Sequence, residues 1–225
     1  MKKIIILIAL FTLVIAGTAS ALITGSKHDL SSTGTSLSYS GAAPADQLCI
    51  YCHTPHNAQV ASGAPLWNRT LGITTKSGSV YGSPTFDGSG LVAAVPRAGT
   101  VTPLCMSCHD GTKAVASYYR GGVEQDTIKP KMDNRLFTDP VLSELDLAIN
   151  HPVDFQYVAV TQEIAGSIKV GVIGGAVPQT YPLSGSDQNF TCTTCHDVHN
   201  TSANGMLRGA ETLSGSAFCL ACHDK

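Results

Sequence analysis

One long apolar stretch opens the chain. Ile4 to Ala16, broken only by Thr12, follows the basic pair Lys2-Lys3 and leads into the small residues Gly17 to Ala21. This pattern predicts a secretory signal peptide over residues 1–21, with Ala19-Ser20-Ala21 as the cleavage site and a mature chain beginning near Leu22. An uncleaved anchor is the alternative, because apolar or small residues continue to Ile23. A spanning helix needs about 20 mostly apolar residues, and Gly17–Ser20 weakens the run. No later segment is apolar enough to cross a bilayer, and no cysteine lies near the cleavage site to carry a lipid.

Beyond residue 22 long amphipathic periodicity is nearly absent. Ser77 to Gly90 and Gly166 to Gly185 are rich in turn residues and predict loop. Val170 to Ile173 is the best strand fragment. Only 13% of the residues are charged and 22 are glycine. A polar, loop-rich chain of this kind does not bury enough apolar surface to offset its own conformational entropy, so something other than polypeptide is expected in its core. Without the leader the chain has 12 basic and 16 acidic residues, a formal charge of −4, and shows no basic patch for nucleic acid.

The cysteines supply the missing core. All eight fall in four Cys-x-x-Cys-His motifs: Cys49, Cys52 and His53; Cys105, Cys108 and His109; Cys192, Cys195 and His196; Cys219, Cys222 and His223. This is the c-type haem attachment signal, in which two thiols bond the haem and the histidine binds its iron. A disulfide framework does not require histidine after each second cysteine. Structural zinc uses Cys-x-x-Cys pairs, but as a rule in intracellular proteins, which the leader argues against. Four covalently attached haems c are therefore expected. The fold expected is that of a multihaem cytochrome c: irregular loops, short α-helices at the motifs, little β-structure and a core formed by the haems.

Four six-coordinate irons need eight axial ligands, and the chain has eight histidines. Beyond the motif histidines these are His28, His56, His151 and His199. They repeat in order: a lone histidine, then CxxCHxxH, then CxxCH, once over about 22–125 and again over about 140–225. Residues three apart on a helix share a face, whereas the two ligands of one iron approach from opposite sides. His56 therefore does not serve the iron of His53, nor His199 that of His196. Methionine is the competing ligand type and raises haem potential, with Met132 and Met206 as candidates. His28 is assigned to the first haem and His151 to the third. Two schemes remain for the others. In one, His56 serves the second haem and His199 the fourth. In the other, each reaches back one haem, His199 to the second and His56 to the fourth haem of a neighbouring subunit. The latter contact is head-to-tail and gives a filament.

Tyr51 and Trp67 are expected either against porphyrin or in ordinary loop packing. Asp110, Asp197 and Asp224 each follow a motif histidine and are read as surface polar residues more readily than as acceptors for the ligand rings. Sequons occur at Asn68, Asn189 and Asn200.

Cys192 to Lys225 resembles the doubled Cys-x-x-Cys-His domain of multihaem cytochromes. The segments CIYCHTPHN, Pro65–Trp67, LCMSCHDG and Asn150–Val153 extend the likeness over most of the chain, and the size and ligand count resemble the OmcE-type extracellular filament-forming cytochromes. That resemblance implies bis-histidine haems in a continuous stack, a secreted homopolymer, and a distal histidine that can come from the next subunit. Partners would be other redox proteins or extracellular electron acceptors. With every iron six-coordinate, the expected role is electron transfer and not catalysis. A soluble periplasmic shuttle and a membrane-anchored tetrahaem quinol dehydrogenase remain the alternatives.

Overall fold

A computed structural model describes residues 23–31, 48–59, 66–71, 100–109, 118–120, 123–125, 150–157, 168, 181–186, 188–200, 206–208 and 216–224. The expected signal peptide, the strand fragment at 170–173, the loop at 77–90, Asp110 and Met132 lie outside these residues.

Regular structure is short among the described residues. A 3₁₀ turn spans Leu48–Tyr51, and α-helices span Thr102–His109, Cys192–Cys195 and Ala217–Leu220. Each lies on one Cys-x-x-Cys-His motif, and the local geometry repeats. The histidine N–H bonds back to the carbonyl of the first cysteine for His53 (2.7 Å), His196 (3.0 Å) and His223 (2.9 Å). In the second motif the longer helix encloses the whole sequence. Residues four apart on such a turn share a face, which is why cysteine and histidine at this spacing can hold one macrocycle between them. At the third motif Thr191 N donates to Thr194 Oγ1 at 3.0 Å and closes the start of the turn.

Among the described residues two antiparallel pairs make up the strand content. Tyr118–Arg120 pairs with Val123–Gln125, and Phe155–Gln156 with Asn189–Phe190. The second pair carries a buried cluster of Phe155, Tyr157, Tyr181 and Phe190, against which Val153, Ile168, Phe218, Ala221, Cys195 and Cys222 pack. Phe155 and Phe190 stack at 5.1 Å and 11°, and Tyr181 meets Phe218 edge-on at 5.9 Å. This aromatic core is the one described place where polypeptide packs on polypeptide in quantity, and it sits under the third and fourth motifs.

The loops after the first and third motifs repeat each other. His53 bridges Trp67, Thr54 N donates to Leu66 O, and Asn68 N donates to Cys52 O. Likewise His196 bridges Leu207, Asp197 N donates to Met206 O, and Arg208 N donates to Cys195 O. Leu66 (φ 59°) and Met206 (φ 62°) occupy the same left-handed turn position.

Candidate haem-binding sites

Three pairs of imidazoles face one another. His53 and His199 lie with ring centroids 6.2 Å apart, His28 and His109 at 6.0 Å, and His151 and His223 at 6.3 Å. Each pair joins a motif histidine to a histidine outside the motifs. An imidazole nitrogen sits about 2 Å from a bound metal ion, so two rings on opposite sides of one ion have centroids about 6 Å apart. The residues therefore fit a six-coordinate haem iron at three positions. Among the described residues no group of three or more His, Cys, Asp or Glu side chains converges as a zinc site requires.

These pairs differ from the assignment read from chain order. His28 faces the second motif and not the first, His151 the fourth and not the third, and His199 the first and not the second or fourth. The physical reason is reach. An extended chain covers about 3.3 Å per residue, so the 20 residues between His28 and Cys49 do not force either to serve the other. Local turns decide instead. His56 and His196 are both exposed.

The histidines outside the motifs are held by their surroundings. Asp29 follows His28, and its carboxylate accepts from Gly25 N (2.7 Å), Ser31 N (3.2 Å) and Ser31 Oγ (2.5 Å). Burial pushes the Asp29 carboxyl up, but these hydrogen bonds outweigh it and leave it below the ordinary range. His28 Nδ1 lies 2.9 Å from Met206 Sδ. Burial, and then the charge of His196, lower the pKa of His28, which favours the neutral ring a metal needs. Asp197 Oδ1 accepts from His199 N at 3.1 Å, while its Oδ2 pairs with Arg208 Nη1 at 3.2 Å. His151 Nδ1 lies 2.9 Å from Pro152 O, and its ring packs on Phe190 at 5.6 Å.

Around the first motif, Tyr51 and Trp67 are buried, and Trp67 meets His53 edge-on at 5.8 Å. Asn68 and Arg69 are fully buried. Asn68 Nδ2 donates to Ile50 O, and Arg69 Nη2 donates to Ser107 O at 3.0 Å, tying the first motif to the second. Burial of Asn68 and Asn189 removes two of the three sequons as acceptors in the folded chain; Asn200 is exposed.

The thiols of successive motifs lie within electrostatic range of one another in chain order: Cys52 of Cys108, Cys105 of Cys192, and Cys195 of Cys222. Burial pushes Cys52 and Cys195 up to about 12, and the neighbouring Cys192 thiol, with burial, raises Cys105. Cys49 and Cys219 are exposed.

The sequence alone did not point to Asp29, Asn68, Arg69 or Arg208. An Asp two residues before a Ser is a weak turn signal, and nothing in the sequence marks a buried arginine. Met206, the competing ligand candidate, has its sulphur 2.9 Å from His28 Nδ1. Asp197 is partly exposed, as expected of a surface polar residue, and also fixes the His199 backbone.

Residues 184–225, which hold the third and fourth motifs, match the family described as the doubled CXXCH motif. A comparison with curated proteins found no match. The family match and the repeated motif geometry support a c-type cytochrome with paired haem-binding motifs, carrying covalently bound haem c in an electron-transfer role.

Proposed function

We propose that the protein is an exported electron carrier with four bis-histidine haems c and no open iron position, hence no enzymatic activity. The observation that carries this is the set of three imidazole pairs at metal-clamping distance, each built from one motif and one non-motif histidine. A bound haem supplies one-electron chemistry at its iron. The chain's part is to hold a neutral ring on each face and to bring the thiols of successive motifs together, so that electrons pass from site to site in the order first to fourth. The test is spectroscopic. The reduced protein should not bind carbon monoxide, and the oxidised protein should be low-spin throughout. Ready carbon monoxide binding, or a strong high-spin signal, overturns the reading.

The repeat also favours assembly. In each half of the chain the lone histidine faces the second motif of its own half, and His199 of the second half reaches back to the first motif of the first half. By the same rule His56 reaches back to the third haem, held by His196, of a preceding subunit, and not to the fourth as chain order suggested. Both rings are exposed. Repeated head-to-tail, this contact builds an extracellular filament. His56→Ala should abolish filaments in negative-stain images and make only the third haem five-coordinate. Intact filaments in that variant would contradict the assembly, and a monomeric native protein would favour a periplasmic shuttle.

A further inference from the structure

In a histidine bound to iron, the ring nitrogen away from the metal carries the proton, and the group that accepts this proton sets how strongly the ring donates to the iron. Two of the non-motif histidines have different acceptors there. His151 Nδ1 meets the carbonyl oxygen of Pro152 at 2.9 Å, whereas His28 Nδ1 meets the thioether of Met206 at 2.9 Å. A carbonyl is a full acceptor and a thioether a weak one.

The contact with Met206 is built into the fold. Met206 is buried and sits at φ 62°, in the left-handed region that costs a non-glycine residue energy. Asp197 N donates to Met206 O at 2.8 Å and Arg208 N to Cys195 O at 2.8 Å, so hydrogen bonds flank the turn. At the matching turn of the first half, Leu66 has nearly the same φ but is 51% exposed. The turn is common to both loops; turning its side chain onto a ligand ring is particular to Met206.

We propose that Met206 sets the potential of the second haem, its thioether accepting the His28 Nδ1–H and leaving that imidazole a weaker donor than the His151 ring at the fourth haem. The second haem therefore takes up an electron before the fourth. The inference rests on the bis-histidine reading, with His28/His109 and His151/His223 as two of the axial sets. Met206 acts through His28 and is a positioning residue.

Spectroelectrochemical titration of the full haem-loaded protein tests it, with each variant's haem content checked by intact mass. Met206→Gln offers an amide oxygen at similar reach. It should lower one potential by about threefold to tenfold in the reduction equilibrium, tenfold being about 59 mV for one electron. Met206→Leu removes the acceptor and should move the same step the other way. The step is identified as the one altered in His28→Ala. Shifts of equal sign in the two variants, or none, overturn the inference. So does a methionine–iron charge-transfer band that Met206→Leu abolishes, since Met206 would then be a ligand. A failed haem count, or high-spin iron in the unaltered protein, would instead overturn the underlying reading.

Discussion

Asp29 holds His28 without touching its ring. Its two carboxylate oxygens gather Gly25 N, Ser31 N and Ser31 Oγ into one turn, and Gly25 at φ 75° supplies the left-handed step that turn needs. Removing the buried carboxylate breaks three charge-assisted hydrogen bonds from partly exposed donors, at about 1–3 kcal/mol. Asp29→Ala should lower stability by that order in a denaturant titration and give the second haem a partial high-spin signal in electron paramagnetic resonance. Asp197 has the same relation to His199, so Asp197→Ala should disturb the first haem and spare the second. The sequence shows that these histidines exist and number enough; it does not show what holds them. Turn acceptors, a buried arginine and a thioether on a ring edge are set by distant parts of the chain, and a single sequence carries no mark of them.

Among the elements, the attachment turns were the most legible. Cys-x-x-Cys-His fits an i to i−4 hydrogen bond, and the bonds from His53, His196 and His223 to their first cysteines follow that pattern. The aromatic strand pair was not legible. Phe155–Gln156 and Asn189–Phe190 are two residues each, too short for alternation to register. They matter more than their length suggests, because Phe190 stacks on Phe155 and Tyr157 and also supports the His151 ring. Phe190→Ala should cost about 3–5 kcal/mol in thermal or denaturant unfolding, and should disturb the fourth haem's spectrum before the others.

Across the whole molecule, the count of eight histidines and the order of their repeat were legible. Which histidine meets which motif was not, since loops of 20 residues or more let the chain cross itself. The cross-pair His53/His199 joins the two halves. A chain limited to residues 140–225 should therefore keep a low-spin fourth haem, while one limited to residues 22–125 should leave the first haem without its His199 ligand and open to carbon monoxide. Addition of the missing half should restore the low-spin spectrum. Under the function proposed above, all four motifs carry haem in one electron-conducting chain; the alternative is a chain with fewer haems. Intact-mass measurement of the purified protein, combined with titration of free thiols, decides between them. The expected result is the chain plus four haem masses and no titratable thiol; fewer haems, with the remaining cysteines free or joined as disulfides, would overturn the four-haem reading.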